Sequence, residues 1–401
     1  MQFSKLQIQE LLTNLVSQEN GLNELLGLTL NALMLGERSS YLNDSSLKNK
    51  GNGYRLGTAF GLGQQIELRI PRDRLGLFKP FALLLLREQE SYLREVCFEL
   101  YSKGLTTAQT GEVIEKIYGH HYSASTVSHI NQQFYEQMEL WRNRQLEEHY
   151  LVVYIDAIHQ KICRETISTE AIYVLLGVRG DYTREILGLI SIPTESAIGW
   201  QQALEDIKQR GVKSIGLIVS DNLTGLDNAI PKVYKTQHQK CVVHLSRNVL
   251  AQINYKHKQE VAQDFKEVFN LNLQNDTVAQ FTGRMNIFCD KWQKMYPSLV
   301  KKLSQTNMLY YTTYLQYHFT IRRMIYTTNW IERLNRDYRR VLKIRGAMPS
   351  VESVLALMSK VSIDRENNLY KYPINNFKFE PSLAKIKIGG RIINQNSSTD
   401  F

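Results

Sequence analysis

Residues 150–158 read YLVVYIDAI and residues 214–221 read SIGLIVSD. Each is a short run of β-branched, aromatic and aliphatic residues, the pattern of a strand buried on both faces. Each also carries an aspartate, Asp156 within or at the end of the first run and Asp221 just after the second. A carboxylate so placed is costly unless it is paired, hydrogen-bonded or bound to a metal. In open α/β sheets the region beyond the strand ends is where ligand sites gather.

Working outward, residues 171–178 and 185–192 read as hairpin neighbours of the first strand. A helix over 196–209 follows, with Trp200, Ala203, Leu204 and Ile207 on one face and Gly211 just past its end. Then come the 214–219 strand, a helix around 226–233 and a strand over 239–244. Three antiparallel strands, a helix, a strand, a helix and a strand is the order of an RNase H-like domain, in which the strands of Asp156 and Asp221 are neighbours. Residues 247–318 read as helical, and a further helix starts at Asn329.

That last helix, TTNWIERLNRDYRRVLKIR, carries the third carboxylate. Its apolar stripe is Ile331, Leu334, Tyr338 and Val341, and beside the stripe Glu332, Arg336, Arg339 and Lys343 follow one another at three- or four-residue steps. Magnesium and manganese prefer hard oxygen donors, and carboxylates from separate elements leave coordination positions open for water and phosphate oxygens. Two such ions about 4 Å apart serve both the attacking and the leaving oxygen of an in-line displacement. Each residue has a plainer reading. Asp221 can cap the helix that follows it, Glu332 lies at capping-box spacing from Asn329, and Asp156 can be an ordinary buried, hydrogen-bonded aspartate.

The N-terminal part is mainly helical, with apolar positions at helical spacing over residues 1–40. Residues 43–65, rich in Gly, Asn and Ser, read as a linker without a phosphate-loop pattern, and a short strand follows over 65–71. Three helices are expected between Tyr92 and Met138. The second starts after Thr106 and Thr107. The third carries Val127, Ile130, Phe134 and Met138 on one side and Ser125, Thr126, Ser128, His129, Asn131, Gln132 and Gln133 on the other. That polar face fits either a helix-turn-helix reading base edges or an ordinary solvated face.

The formal charge is +10, from 49 Lys plus Arg against 39 Asp plus Glu. Residues 301–401 hold 17 basic and 7 acidic side chains, whereas residues 1–150 hold 15 and 17, which centres a phosphate-gripping surface in the C-terminal quarter. Four scattered cysteines fit a reducing compartment. The opening MQFSKLQIQELL lacks a signal-peptide layout, and the apolar run 75–86 is too short to span a bilayer, so a cytoplasmic protein without membrane contact is expected.

The runs YIDAIHQKI, REILGL, ESAIGWQQALEDIKQRGVKSIGLIVSDNLTGLDNAI, KCVVHLSRNVL and YTTNWIERLNRDYRR, in this order, resemble the Mutator-like transposases of bacterial insertion sequences over roughly residues 90–365. The resemblance implies a DDE triad of Asp156, Asp221 and Glu332 as catalytic and metal-binding residues, with two Mg2+ or Mn2+ ions per site. It also implies strand cleavage and strand transfer on double-stranded DNA, both the element's terminal inverted repeats and a target, by a nucleoid-associated homodimer or higher oligomer. An all-helical insertion in the family accounts for the 111 residues between Asp221 and Glu332, against 65 between the two aspartates.

The expected organisation is a helical segment 1–42, a linker 43–65 and a helix-turn-helix-like DNA-binding domain 66–148. The catalytic core occupies 149–246 and 321–370, split by the helical insertion 247–320, and a basic tail covers 371–401. Cys241 and His244 form a Cys-x-x-His pair, which the resemblance makes an auxiliary feature beside the active site. No zinc is expected, since no second half lies at ligand spacing. Expected DNA contacts are Arg322, Arg323, Arg333, Arg336, Arg339, Arg340, Lys343 and Arg345 on phosphates, with Ser125, Thr126, His129 and Gln132 on bases. Trp200 reads as core and Trp292 as a candidate base-stacking ring. Trp330 stands where the family usually has a small residue, a change expected to alter packing only. Two rivals remain: an RNase H-like nuclease or resolvase using water alone, and a domesticated DNA-binding regulator.

Overall fold

The computed structural model describes the chain except residues 1–3, 19, 45–47, 62–63, 119–121, 164–166, 193–195, 345–346, 389–390 and 395–401. Arg345 therefore lies outside the described residues. The protein is a mixed α/β chain in which helices predominate, divided into two units, Met1–Phe134 and Tyr135–Phe401.

The first unit contains α1 (Lys5–Val16), α2 (Gly21–Asp44), β1 (Gly51–Gly61), β2 (Gln64–Asp73), α3 (Phe81–Ser102), α4 (Thr107–Tyr118) and the start of α5 (Ala124–Arg142). The glycine-rich stretch expected as a linker is a strand: β1 pairs antiparallel with β2 over most of its length. Glycine suits this hairpin because the strands lie close. A Cβ at Gly57 would meet the Ile70 side chain at 2.4 Å. Ile66, Leu68 and Ile70 of β2 turn inward onto Met34 of α2 and Ala82 and Leu83 of α3. Helix, hairpin and helix thus share one core, which sequence patterning had split between a linker and a separate domain. A second cluster joins Cys97 and Val96 of α3, Ile114 of α4 and Val127, Ile130 and Phe134 of α5. Thr106 forms the reciprocal cap of α4 with Gln109, at 3.2 and 3.0 Å.

The second unit is built on a five-stranded sheet. Its strands are β3 (His149–Cys163), β4 (Ile167–Arg179), β5 (Arg184–Ile192), β6 (Ser214–Ser220) and β7 (Gln237–Lys240), in the order β5-β4-β3-β6-β7. β3, β4 and β5 form an antiparallel meander, while β6 and β7 run parallel to β3. Helices α6 (Ala197–Gln209) and α7 (Leu226–Val233) lie over one face, where Trp200, Leu204, Ile207, Leu226 and Ile230 pack on Val153, Tyr173, Leu175 and Ile218. Trp200 is fully buried and stacks on Tyr173 at 3.5 Å between ring centroids. Gly211, at φ 115°, ends α6 as expected. Its N–H bonds to Lys208 O and that of Val212 to Ile207 O, satisfying the last carbonyls of the helix.

After β7 the chain differs from its sequence-based expectation. The strand stops at Lys240, and Val242 begins a helix, α8 (Val242–Ala251), so His244 sits on a helix rather than a strand. Helices α9 (Lys258–Val268), α10 (Val278–Trp292), α11 (Pro297–Gln305), α12 (Leu309–Thr312) and α13 (Phe319–Ile325) follow. Trp292 is fully buried among them and donates to Asp264 Oδ2 at 2.9 Å, so its ring is core and not an exposed stacking platform. The chain then enters α14 (Asn329–Lys343) and α15 (Val351–Arg365). Residues beyond 370 are not a free tail throughout, since Phe377 and Leu383 are buried and the Ile374 N–H bonds to Tyr182 O.

Candidate active site

In the parallel register of β3 and β6, Ile155 faces Ser220. The next residue in each strand direction is an aspartate, so Asp156, within β3, and Asp221, just past β6, lie at the same level on neighbouring strands. Asp156 Oδ1 accepts from the Ala157 N–H at 2.8 Å, and Oδ2 accepts from Asn335 Nδ2 of α14 at 2.6 Å. These contacts do not offset the loss of water. Burial pushes its carboxyl up to about 6, Asp221 adds to the rise, and the Ala157 amide, His244 and Arg339 act against it.

Asp221 lies ahead of the turn into α7, whose N-cap is Gly225, so it does not cap that helix. Its Oδ1 accepts from the Asn222 N–H at 2.7 Å. Its backbone is held by Ser220, whose Oγ donates to Asp221 O at 2.7 Å and bonds His238 Nε2 at 2.8 Å. His238 Nδ1 is in turn 3.1 Å from Asp227 Oδ1. This Ser–His–Asp chain is not a nucleophile system: Ser220 is fully buried with its hydroxyl engaged. It fixes the strand end that presents Asp221.

Glu332 stands in the first turn of α14. The expected capping box with Asn329 does not form; Thr328 is the N-cap, and its Oγ1 donates to Glu332 Oε1 at 3.2 Å. His244, from the first turn of α8, links the last two carboxylates. Its Nδ1 is 3.4 Å from Asp221 Oδ1 and its Nε2 is 3.6 Å from Glu332 Oε1. A hydrogen bond with Cys241, strengthened by the two carboxylates, raises the imidazole to about 9 against the effect of burial. Burial raises the Cys241 thiol, but hydrogen bonds with His244 and Thr328 outweigh it and the net direction is down. The direction of the shift favours the protonated form of the imidazole that lies between Asp221 and Glu332.

The structure thus brings Asp156, from the middle of β3, and Asp221, just past the end of β6, near Glu332, Cys241 and His244 at the starts of α14 and α8. The Cys241, His244 and Glu332 donor atoms lie within 4.8 Å of one another, a spacing that suits a single cation. The sequence offered no third donor to the Cys-x-x-His pair because Glu332 arrives from 88 residues downstream of His244. Asn335 was missed altogether. Its signal was a polar residue on the buried stripe of α14, with Ile331, Leu334, Tyr338 and Leu342. Its Oδ1 is buried and has no hydrogen-bond partner among the described residues.

Among the cations, Arg333, Arg336, Arg339, Arg340 and Lys343 line exposed positions of α14, and Arg323 of α13 is exposed as well. Arg322 does not belong with them. It is buried, and its guanidinium donates to the carbonyls of Tyr317, Leu315 and Leu273 at 2.9, 3.0 and 3.1 Å. Trp330 lies between Arg184 and Arg333, 4.8 and 5.6 Å from its ring. On α5, Ser125, Thr126, His129 and Gln132 are exposed, whereas Asn131, read on the same polar face, is buried. Ser123 Oγ meets the Ser125 and Thr126 hydroxyls at 2.8 and 2.9 Å, so both contribute to the start of the helix.

A family described as "Transposase, Mutator family" matches residues 2–371. The transposase for insertion sequence element IS1201 of Lactobacillus helveticus is 31% identical over 88% of this chain and 94% of its own length. That for element IS905 of Lactococcus lactis is 28% identical over 84% and 85%. The transposase for element IS256 in transposon Tn4001 of Staphylococcus aureus is also 28% identical, over 83% and 87%. A Drosophila P element transposase strand transfer complex overlays with a TM-score of 0.35 and 10% identity, over 69% of this chain and 91% of that chain, too slight a likeness to define the fold. The chain belongs to the Mutator family of transposases. No helix among the described residues is long and apolar enough to cross a membrane.

Proposed function

We propose that the second unit is an RNase H-like core that cleaves DNA strands and transfers them with two divalent ions, Mg2+ or Mn2+, held by Asp156, Asp221 and Glu332. The observation that carries the reading is the register of β3 and β6, which sets Asp156 in mid-strand level with Asp221 at the end of the neighbouring strand, with Glu332 across His244 from Asp221. The donor chemistry suits such ions, being three carboxylates from three elements, one of which, Asp156, is raised to about 6 chiefly by burial. When bound, the ions lower the cost of activating the attacking oxygen and of releasing the leaving one. The protein's own groups do the rest. Asn335 orients Asp156, the Ser220–His238 chain holds Asp221, Thr328 steadies Glu332, and His244 lies between Asp221 and Glu332.

Residues 149–246 and 321–370 would form the two parts of this core, with 247–320 inserted between them. The exposed cations of α14 would follow phosphates away from the site, Arg339 being close enough to bear on Asp156. α4 and α5, joined through residues 119–123, would form a helix-turn-helix-like reader of the terminal inverted repeats through Ser125, Thr126, His129 and Gln132. Work on two element ends and a target is suited by more than one copy of the chain, so a homodimer or higher oligomer is the expected assembly.

The test is an assay with labelled inverted-repeat DNA, a target plasmid and Mg2+ or Mn2+. Asp156→Ala is expected to abolish cleavage and joining while DNA affinity stays within about two-fold of the parent, less than about 0.5 kcal/mol. Loss of end binding together with cleavage would make Asp156 a structural residue. Cleavage without strand-transfer products in the parent protein would leave a nuclease.

A further inference from the structure

The first unit carries its charge unevenly. Residues 48–87 hold 8 basic and 2 acidic side chains, whereas residues 1–47 hold 2 and 5 and residues 88–134 hold 3 and 6. The basic block is the β1–β2 hairpin, the loop after it and the start of α3, and folding gathers its cations around a cavity of about 550 Å³. Arg55 of β1, Arg72 of β2, Lys79 of the loop and Arg87 of α3 line this space, over an apolar floor that includes Pro71 and Leu83. All four are exposed, and among the described residues none makes an ion pair.

The nearby carboxylates are already committed. Asp73 is buried, and its oxygens accept from Asn49 Nδ2 and from the Leu77 and Phe78 N–H groups at 2.7, 3.2 and 3.1 Å. Glu37 caps α3, accepting from the Phe81 and Ala82 N–H groups at 2.7 and 3.1 Å. Arg38 fastens the hairpin to α2 through the carbonyls of Gly53 and Arg72, at 3.0 and 3.2 Å. The cavity is therefore rigidly framed and left positive. Guanidinium groups match phosphate oxygens in geometry as well as charge. A space of this size, with cations on its rim and an apolar floor, suits a run of sugar–phosphate backbone better than a single small anion.

We propose that this cavity is a phosphodiester-binding site that grips the backbone of duplex DNA without reading its sequence. The proposal rests on the DNA-binding reading above and adds to it a second contact surface, separate from the polar face of α5. Its chemistry is phosphate neutralisation, so it must appear in the salt dependence of binding and be blind to sequence.

The experiment measures affinity of the full chain for two labelled duplexes of equal length, one carrying the inverted repeat and one unrelated, across a salt series. Arg72→Ala combined with Arg87→Ala is expected to weaken both complexes by roughly ten-fold and to lower the slope of log affinity against log salt by about one to two. Arg69→Ala removes an exposed cation from the opposite face of β2 and is expected to leave that slope at the parent value. An unchanged slope in the double variant overturns the proposal while the DNA-binding reading stands. So does an equal loss in Arg69→Ala, which would mean diffuse charge, or a loss confined to the inverted repeat, which would mean base reading. A parent protein that binds neither duplex overturns both. Calorimetry with inorganic phosphate closes the remaining case: phosphate binding that the double variant abolishes while duplex binding survives would make this a small-anion site and overturn the proposal.

Discussion

Asp156 is where the physics of the site is most exposed to measurement. Its ordinary value is 3.8 and burial raises it to about 6. Between those values the folded protein keeps the proton that the unfolded chain has released. The shift therefore favours the fold on the acid side, and that advantage is lost as pH rises through about 6. In metal-free protein at neutral pH the bare carboxylate then costs on the order of 1–3 kcal/mol. Asp156→Asn removes the charge and keeps a partner for Asn335. In chelator at pH 7 the variant is expected to melt a few degrees above the parent, by the usual relation between stability and melting temperature. At pH 4 the two should nearly coincide. An equal difference at both pH values would mean that the carboxyl is not desolvated. The sequence disclosed this residue because a charge inside YLVVYIDAI needs a reason. It marked His244 only as half of a Cys-x-x-His pair and not as a bridge between Asp221 and Glu332, because that placement depends on the chain leaving β7 early and turning into α8.

At the scale of elements, spacing separated faces correctly only where one helix decides the matter. The stripe of α14 follows from its three- and four-residue steps, and its arginines project from exposed positions as that periodicity requires. Arg322 belongs to the short helix α13, whose burial is set by neighbours that spacing cannot see. The glycines of β1 were misread for a related reason: glycine marks loops on average, but here it lets two strands and a helix pack closely. The two arginines make opposite predictions. Arg339→Ala is expected to weaken binding to all duplexes and to flatten the salt slope by about one, with no change in melting temperature. Arg322→Ala leaves three carbonyls without donors and is expected to cost about 2–4 kcal/mol of stability, lowering the melt while the folded fraction keeps the parent's salt slope. If Arg322→Ala flattened the slope and left the melt alone, its guanidinium would face DNA after all.

For the molecule as a whole, the approach of the proposed carboxylates depends on topology. Asp156 and Asp221 meet because β6 inserts beside β3, which the order of elements implied. Glu332 reaches the sheet after the helices α9 to α13, which pack around Phe265, Phe288 and Trp292. Helical spacing made those helices legible but not their closure onto the sheet, since no local pattern records where a long helical stretch ends in space. A site assembled from such distant parts ties ion binding to the folded state, because the unfolded chain offers no comparable cluster. A ligand at one hundred times its dissociation constant adds about 2.7 kcal/mol to stability. Mn2+ or Mg2+ at saturating concentration is therefore expected to raise the melting temperature of the parent protein by several degrees and that of Arg339→Ala equally, while Asp156→Asn stays near its metal-free value. A rise in Asp156→Asn as large as the parent's would put the stabilising ion elsewhere, at the Cys241, His244 and Glu332 donors, and Asp156 would lose its place as a ligand.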